Sequence, residues 1–284
     1  MDQSTMLILG ANGQLGKALQ AKYPDARALS SDELDISDIG AVDSFDWSAF
    51  SVILNAAAYT NVDGAETGEG RKTAWAVNAQ AVTNLARVSN MHKLTLVHLS
   101  TDYVFDGSQE IHNEDEPLSP LGVYGQSKAA GDIAASIATK HYIIRTSWVI
   151  GEGKNFVRIM LDLGKRGITP TVVADQVGRL TFTRELVRAI DHLLTTEAEF
   201  GIYNVSNDGE SVSWAEIARA VFKEAGLSST VTDTTTKEYY EGKDGVAPRP
   251  LQSTLNLAKL EATGFVSKNW AEDLHEYMQK ELAA

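Results

Sequence analysis

Short apolar runs alternate with helix-compatible segments through the first half of the chain. Five of these runs are predicted strands, at residues 6–9, 26–30, 51–58, 94–100 and 142–146. Predicted helices cover residues 17–23 and 71–89, and another begins at Tyr124. Nearly continuous apolar strands that alternate with helices are typical of a parallel sheet covered on both faces. The pattern therefore predicts an α/β fold built on a doubly wound parallel sheet.

Three glycines come directly after the first predicted strand, in the segment GANGQLG. Gly10, Gly13 and Gly16 precede a predicted helix, and this arrangement lets the backbone turn tightly and approach a pyrophosphate at the helix N-terminus. The turn therefore predicts a Rossmann-like dinucleotide site. The other residues of the turn that we assign to the cofactor are Asn12, Gln14 and Leu15.

The end of the second predicted strand bears on the choice of nicotinamide cofactor. A carboxylate there would bind the ribose hydroxyls and repel a 2'-phosphate. This chain has Ser30 instead, with Lys17 and Arg27 as candidate cations nearby, so the sequence favours NADPH and leaves NADH as an alternative. Asp35 and Ile36 follow a few residues later and are expected to flank the adenine.

The alternation weakens in the second half of the chain. Residues 201–226 read as a strand, a polar turn and an amphipathic helix capped by Ser211 or Ser213. We therefore expect a dinucleotide-binding domain over residues 1–150 and a smaller, mainly substrate-binding α/β domain over residues 151–284. Some segments of the second domain are expected to return to the first.

Composition excludes several classes of function. The 284 residues carry a formal charge of -13, which argues against binding to nucleic acid or to an anionic membrane. The chain has no cysteine, so disulfides, thiolate metal sites and cysteine nucleophiles are excluded. The histidines show no ligand spacing, so no metal is assigned and His98 is interpreted as a packed core residue. The opening residues lack a signal sequence or membrane span, and the expected location is the cytoplasm.

A tyrosine and a lysine lie four residues apart in YGQSK, at the start of a predicted helix. This spacing puts Tyr124 and Lys128 on one helix face. An ammonium group stabilises a nearby phenolate, so the lysine makes the phenol a better proton donor near neutral pH. A second such pair, Tyr239 and Lys243, has no strand ahead of it and is interpreted as a coincidence. The sequence therefore assigns acid–base chemistry to Tyr124 and Lys128.

Seven motifs occur in the order GANGQLG, NAAAYTNVDGAE, VNAQAV, STDYVFDG, YGQSK, RTSW and PRP. In this combination, from Met6 to about Lys259, the chain resembles the extended short-chain dehydrogenase/reductases, and within them the reductases of nucleotide-linked 4-keto sugars. The resemblance implies NAD(P)H-dependent reduction of the 4-keto group of dTDP-4-dehydro-L-rhamnose to give dTDP-L-rhamnose. The implied partner is a dTDP-linked 4-keto sugar, and the chain is expected to be a monomer or a homodimer.

The same resemblance implies roles for individual residues. Tyr124 would protonate the 4-keto oxygen, Thr101 would hydrogen-bond the same oxygen, and Lys128 would complete the catalytic set. Because strand side chains alternate, only one of Ser100 and Thr101 can point into the site, and Ser100 is assigned to the cofactor with the option of replacing Thr101. The other implied cofactor residues are Asn55, Ala56, Ala57, Ala58, Tyr59 and Asn78. The other implied substrate residues are Thr60, Val62, Tyr103, Trp148, Asn155, Arg158 and Arg249.

Several alternatives share much of this pattern. A 4,6-dehydratase on the same scaffold needs an Asp-Glu pair after the threonine, but here Tyr103 follows Asp102. Asp102 is therefore interpreted as a structural carboxylate that closes the turn. Another nucleotide-sugar 4-ketoreductase or an epimerase would use the same tyrosine. A non-catalytic regulatory subunit would keep the glycine turn and bind the cofactor without the reaction.

Overall fold

The computed structural model describes residues 2–283 and contains twelve strands and eleven α-helices in that range. The strands are β1 (Met6–Leu9), β2 (Arg27–Leu29), β3 (Val52–Asn55), β4 (Thr95–Leu99), β5 (His141–Arg145), β6 (Val149–Ile150), β7 (Thr171–Val173), β8 (Val177–Gly178), β9 (Thr181–Phe182), β10 (Gly201–Asn204), β11 (Val212–Ser213) and β12 (Thr232–Thr234). The helices are α1 (Gln14–Lys22), α2 (Ile39–Ser44), α3 (Gly68–Trp75), α4 (Ala81–His92), α5 (Val123–Ala135), α6 (Phe156–Lys165), α7 (Thr183–Thr195), α8 (Trp214–Glu224), α9 (Thr236–Tyr240), α10 (Ala258–Glu261) and α11 (Trp270–Ala283).

Six strands form one parallel sheet in the order β10-β5-β4-β3-β1-β2. Helices α1 and α7 cover one face, where Leu19 and Ile190 share a core with Ile8. On the other face, Leu85 of α4 lies in a second core together with Ile53 of β3. Every residue of β1 and β3 is buried, as expected for strands covered on both faces. The predicted doubly wound parallel sheet is therefore confirmed.

The strands are shorter than the apolar runs that predicted them. β3 ends at Asn55, although the predicted strand continued to residue 58, and β4 ends at Leu99 rather than at residue 100. The residues that follow leave the sheet at its carboxyl edge. A ligand site is expected at this edge, between β1 and β3, because the strand order reverses there.

The predicted helix over residues 71–89 is observed as two α-helices joined by a π-helical turn. α3 leads into the turn Ala76–Gln80, and α4 continues from it. A π turn contains one residue more than an α-helical turn and is frequent at functional sites. In this chain the turn carries the buried Asn78.

The remaining elements surround a third core. α6, α8 and α11 supply much of it, and Leu161, Phe222 and Leu274 are among its buried side chains. Two segments of the second half return to the main sheet, because α7 packs on it and β10 forms its edge. The division of the chain into two domains near residue 150 stays a prediction. Within the described part of the chain, no helix combines the length and the apolar character needed to cross a membrane.

The start of α8 shows which serine caps the predicted amphipathic helix. The Ser213 hydroxyl accepts a hydrogen bond from the Glu216 N–H (3.2 Å), and the Glu216 carboxylate accepts one from the Ser213 N–H (2.7 Å). This reciprocal pair is a capping box, which stabilises the helix start. Ser211 lies before the helix and contacts the Thr254 hydroxyl (2.8 Å).

Candidate active site

Two adjoining cavities open at the carboxyl edge of the sheet, a smaller one of about 300 Å³ and a larger one of about 600 Å³. Both are lined by Asn12, Gly13, Ala56 and Ala58. The smaller cavity is also lined by the predicted cofactor residues Gly10, Ser30, Asp35, Ile36, Ala57 and Tyr59. The larger cavity is also lined by the predicted residues Gln14, Leu15, Thr60, Val62, Ser100, Thr101, Tyr103, Tyr124, Lys128 and Trp148. The structure therefore brings most of the predicted residues together.

The glycine turn lies where the two cavities meet. Gly10 has a left-handed backbone (φ 81°), and a Cβ there would stand 2.6 Å from the Ala57 nitrogen. The predicted cofactor residue Gly16 lines neither cavity; a Cβ on it would stand 2.1 Å from the Gly10 oxygen, so its role is to let α1 pack against the turn. A Cβ on Gly13, just before α1, would meet only the Gly10 oxygen, at 3.3 Å. The bare backbone at this helix start fits a pyrophosphate.

The Glu33 carboxylate, which was not predicted as a site residue from the sequence, forms hydrogen bonds with the residue that follows β2. Glu33 accepts hydrogen bonds from the Ser30 N–H (2.8 Å) and the Ser30 hydroxyl (2.9 Å), and these bonds keep the pKa of the Glu33 carboxyl below its usual value. Neither expected cation lines the smaller cavity, since Lys17 lines the larger one and the Arg27 guanidinium lies over the Phe45 ring. The spacing Ser-x-x-Glu, which is the capping-box pattern, could have identified Glu33.

Two predicted cofactor residues, Asn55 and Asn78, line neither cavity. The Asn55 side-chain oxygen accepts from the Ala57 N–H (3.2 Å). The Asn78 amide accepts from the Tyr59 N–H (2.9 Å) and donates to the Tyr59 carbonyl (3.1 Å) and to the Ser127 hydroxyl (3.0 Å). Protein groups occupy both amides in this structure, and the assignment of Asn55 and Asn78 to the cofactor stays a prediction. Through these bonds the two side chains position the backbone that forms the cavity wall.

Tyr124 and Lys128 lie one turn apart near the start of α5. The N–H of Val123, the first residue of this helix, donates to the Glu66 carboxylate (2.8 Å). Glu66 thereby replaces the side-chain cap that Gly122, at the N-cap position, lacks. A capped helix start keeps the first turn, and with it the tyrosine, in a defined position.

Thr101 and Asp102 form the polar part of the cavity beside Tyr124. The Thr101 hydroxyl donates to the Asp102 carboxylate (2.9 Å), and the Tyr103 N–H donates to the Thr101 hydroxyl oxygen (3.3 Å). Burial raises the pKa of Asp102 to about 6, although hydrogen bonds from Ser253 and Thr101 oppose this change. Burial also raises the pKa of Tyr124, and the Asp102 charge adds to the effect, so the phenol is protonated near neutral pH. Asp102 therefore holds the turn and also lines the larger cavity.

Lys128 is almost fully buried, with 1% of its surface exposed. Its Nζ donates to the Leu99 carbonyl (2.6 Å) and lies 3.4 Å from His98 Nε2. Burial lowers the pKa of Lys128 to about 8, and the Asp132 carboxylate opposes this shift. Burial also holds the pKa of His98 well below its usual value, with the Lys128 charge acting in the same direction, so the imidazole is neutral. His98 is a buried core residue, as predicted, but its contact with Lys128 was not predicted from the sequence.

Aromatic side chains form part of the wall of the larger cavity. The Tyr103 ring packs edge-on against Tyr124, with 5.5 Å between the ring centroids. Trp148 has a left-handed backbone (φ 47°) and stacks on Trp214 with 3.8 Å between the centroids. Such a backbone is rare for a bulky residue, and strained positions are concentrated at ligand sites. Tyr103 and Trp148 therefore stand in the cavity wall as predicted, and Trp214 is a supporting residue that sequence spacing did not indicate.

Three predicted substrate residues, Asn155, Arg158 and Arg249, lie outside the larger cavity. The Arg249 guanidinium donates to the Asp63 carboxylate through both terminal nitrogens (2.9 and 3.0 Å). Asn155 caps α6 by accepting from the Arg158 N–H (3.0 Å), and the Arg158 guanidinium pairs with Glu281 (2.7 Å). Their polar groups are bound within the protein, and their assignment as substrate contacts stays a prediction.

The second Tyr-x-x-x-Lys pair lies apart from both cavities. Lys243 Nζ stands 3.9 Å from the centroid of the exposed Tyr239 ring, which is a cation–π contact. Among residues 2–283, no three His, Asp or Glu side chains cluster in a way that could hold a metal ion. The titratable side chains that line the larger cavity include Tyr124, Lys128 and Asp102.

The order of motifs and the geometry of the sheet edge agree with one protein family. A family model described as RmlD substrate binding domain matches residues 4–283. The chain belongs to this family. Membership of the RmlD family confirms the resemblance that the motifs indicated, and the match extends over both halves of the chain.

Relatives of known name match the chain over nearly its full length. The spore coat polysaccharide biosynthesis protein SpsK of Bacillus subtilis (strain 168) is 38% identical, over 98% of this chain and 98% of that protein. The dTDP-4-dehydrorhamnose reductase of Aggregatibacter actinomycetemcomitans is 36% identical, over 95% of this chain and 96% of that protein. A crystal structure of dTDP-4-dehydrorhamnose reductase from Bacillus anthracis str. Ames in complex with NADP has a TM-score of 0.88 and 36% identity, covering 97% of this chain and 98% of that one.

Proposed function

We propose that this protein reduces the 4-keto group of dTDP-4-dehydro-L-rhamnose to give dTDP-L-rhamnose. The observation that carries the proposal is the placement of Thr101, Tyr124 and Lys128 in one cavity, which adjoins a second cavity suited to a dinucleotide. The names of full-length relatives in the RmlD family support the same substrate class. The proposed reductant is NADPH, with NADH as an alternative, and the proposed form is a cytoplasmic monomer or homodimer.

The residues at the sheet edge fit a nicotinamide dinucleotide. Gly13 leaves the start of α1 open for the pyrophosphate, and Ser30 and Ile36 line the smaller cavity, which would hold the adenosine. Lys128, in the larger cavity, would hold the ribose of the nicotinamide. When bound, the reduced cofactor supplies the hydride that is added to C4 of the sugar.

Tyr124 supplies the proton in the proposed reaction. As hydride adds to C4, negative charge develops on the keto oxygen, and the Tyr124 hydroxyl transfers its proton to that oxygen. The Lys128 ammonium stabilises the phenolate that remains. Thr101 has a single hydroxyl hydrogen, which the ionised Asp102 accepts. Thr101 can therefore donate to the keto oxygen only by giving up its bond to Asp102.

A panel of substrates tests this function. Purified protein is mixed with NADPH or NADH and with dTDP-4-dehydro-L-rhamnose, dTDP-4-dehydro-6-deoxy-D-glucose or a UDP-linked 4-keto sugar. We expect loss of the reduced-nicotinamide absorbance with the first sugar, and one dTDP-L-rhamnose formed for each cofactor oxidised. Turnover of another sugar would identify a different 4-ketoreductase, and isomerisation without net oxidation would identify an epimerase. Cofactor binding without turnover of any sugar contradicts the proposal and favours a regulatory subunit.

Replacing Glu33 with Gln should raise the ratio of kcat/KM for NADPH to kcat/KM for NADH, on the order of threefold. The Gln side chain can still accept from Ser30 but removes a negative charge that would lie beside a 2'-phosphate. Both values are measured at a saturating sugar concentration. Asp32→Asn is the matched control, because Asp32 is the exposed carboxylate next to Glu33 in the chain. An equal change in both variants would assign the effect to general surface charge.

Raising the pH above about 8 should lower kcat/KM for the cofactor, by up to about tenfold for each further pH unit. Burial lowers the pKa of Lys128 to about 8, so its ammonium form is populated below this pH and is lost above it. kcat/KM is the appropriate measurement because it reports the ionisations of the free protein. A profile that stays flat up to about pH 10, close to the ordinary lysine pKa, would contradict the role given to Lys128.

A further inference from the structure

A buried hydrogen-bonded pair lies directly behind Lys128 and is not used in the proposed reaction. His98, on β4, has no exposed surface, and its Nε2 lies 3.4 Å from Lys128 Nζ. The other ring nitrogen, Nδ1, lies 3.1 Å from the side-chain nitrogen of Asn55, at the end of β3. Asn55 is also buried. The three side chains therefore form a continuous line from the end of β3 to the lysine of α5.

The backbone determines which groups donate and which accept in the hydrogen bonds between these three side chains. The side-chain oxygen of Asn55 accepts from the Ala57 N–H (3.2 Å), which fixes the orientation of the amide. The amide nitrogen, which can only donate, must then donate to His98 Nδ1. Because the imidazole is neutral, its single proton is on Nε2. His98 consequently points an N–H at Lys128.

An ammonium group and an imidazole N–H are both donors, so neither can accept a hydrogen bond from the other. A neutral amine, by contrast, has a lone pair that can accept from Nε2–H. We propose that the Asn55–His98 pair is a positioning unit that favours release of the proton from Lys128, and so sets the pH range in which Lys128 can support the reaction. This inference rests on the proposed function for its effect on catalysis. The protonation state of Lys128 itself can be measured without the reaction.

The other ionisable groups around Lys128 act in both directions. Tyr124 lies one turn earlier on α5 and is protonated near neutral pH. Asp132 lies one turn later, and its charge favours the ammonium form of Lys128. Arg145 on β5 partly neutralises the Asp132 charge, since its Nε donates a hydrogen bond to the Asp132 carboxylate (2.9 Å). Burial and the donor on His98 therefore act together against the ammonium, and the lowered pKa of Lys128 agrees with this balance.

Nuclear magnetic resonance of the protein without substrate tests the pair directly. In protein labelled with 15N-histidine, the His98 signal should show a protonated Nε2 and an unprotonated Nδ1. In protein labelled at lysine Cε, the signal absent from Lys128→Met identifies Lys128, whose titration is then followed against pH. The tautomer measurement needs only the unaltered protein. A His98 signal with its proton on Nδ1 would overturn the inference.

The Asn55→Asp variant should reverse the direction of the hydrogen bond between this side chain and His98. A carboxylate can only accept, so it would accept a hydrogen bond from Nδ1–H and leave the Nε2 lone pair facing Lys128. We expect the Lys128 titration midpoint to rise by about one pH unit or more, which is about tenfold tighter proton binding. Asn84→Asp is the matched control, because Asn84 is an equally buried asparagine that binds the Ile36 carbonyl (3.0 Å). An equal rise in the Asn84 variant, no rise in the Asn55 variant, or a rise in the Asn55 variant while the His98 proton stays on Nε2, which would be an effect of the new charge alone, would overturn the inference.

Failure of the inference and failure of the proposed function give different results. If the function holds and the inference fails, the protein reduces the 4-keto sugar while Lys128 titrates alike in the unaltered protein and in Asn55→Asp. If the inference holds and the function fails, the lysine titration shifts but no 4-keto sugar is reduced. If both hold, the alkaline fall in kcat/KM of Asn55→Asp moves upward by the same interval as the lysine titration.

Discussion

Replacing Tyr124 with Phe should lower kcat for the 4-keto sugar about thousandfold while leaving the Kd of the reduced cofactor within about twofold. The substitution removes only the hydroxyl, so the ring keeps its edge-on contact with Tyr103. The negative charge that develops on the keto oxygen then has no phenolic proton to neutralise it. Steady-state kinetics measure the loss in kcat, and fluorescence titration of the reduced cofactor measures Kd.

The matched control for this variant is Tyr239→Phe, which removes a hydroxyl from the second Tyr-x-x-x-Lys pair outside both cavities. Its kcat should equal that of the unaltered protein. If Tyr239→Phe were the inactive variant and Tyr124→Phe kept most of its activity, the acid would be wrongly assigned. A Tyr124→Phe variant that lost cofactor binding in parallel with kcat would point instead to a structural defect.

Replacing Lys128 with Met should damage both catalysis and cofactor binding. We expect kcat to fall by at least about a hundredfold, because the phenolate on Tyr124 loses its neighbouring charge. The Kd of the reduced cofactor should rise about tenfold, as expected when a hydrogen bond from a charged group is lost. Methionine has a similar length and no charge, so it suits a buried position and folding should be preserved. The measurements are the same kinetics and titration, with a thermal unfolding curve.

Lys243→Met supplies the control for that experiment, since Lys243 lies outside both cavities, where its ammonium group stands over the Tyr239 and Tyr240 rings. Its kcat and Kd should be unchanged. An effect of Lys128→Met on kcat alone would contradict the proposed contact with the ribose. An effect on Kd alone would contradict the electrostatic role beside Tyr124.

The fold could be predicted largely from the spacing of apolar residues, because strands buried on both faces leave a direct trace in the sequence. The runs around Ile8, Ile53 and Val97 all became central strands of the sheet. The π turn that carries Asn78 could not be predicted, since apolar spacing in a helix does not reveal a single inserted residue. The strand ends were also overextended, because small residues such as Ala56 suit a strand and a cavity wall equally well.

Most of the motif residues that were predicted at the site line one of the two cavities. The hydrogen-bond partners of Asn55 and Asn78 could not be predicted, because an amide within a motif does not show which group it faces, and both face protein atoms in the folded chain. The partner of Arg249 could not be predicted for the same reason, since only the folded chain brings Asp63 next to it. Glu33 was recognisable from its spacing to Ser30, whereas the contact of His98 with Lys128 joins two distant parts of the sequence.

The π turn at Ala76–Gln80 makes the number of residues in this helical segment as important as their chemistry. Each residue of an α-helix advances the side-chain direction by about 100°. Removing one residue would therefore convert the π turn to an α-helical turn and rotate the side chains on one side of it relative to those on the other. Asn78 would then lose its hydrogen bonds with Tyr59 and Ser127. These bonds connect the cofactor side of the sheet edge to α5. We therefore expect insertions and deletions to be tolerated in the loops outside the segment from α3 to α4 and not within it.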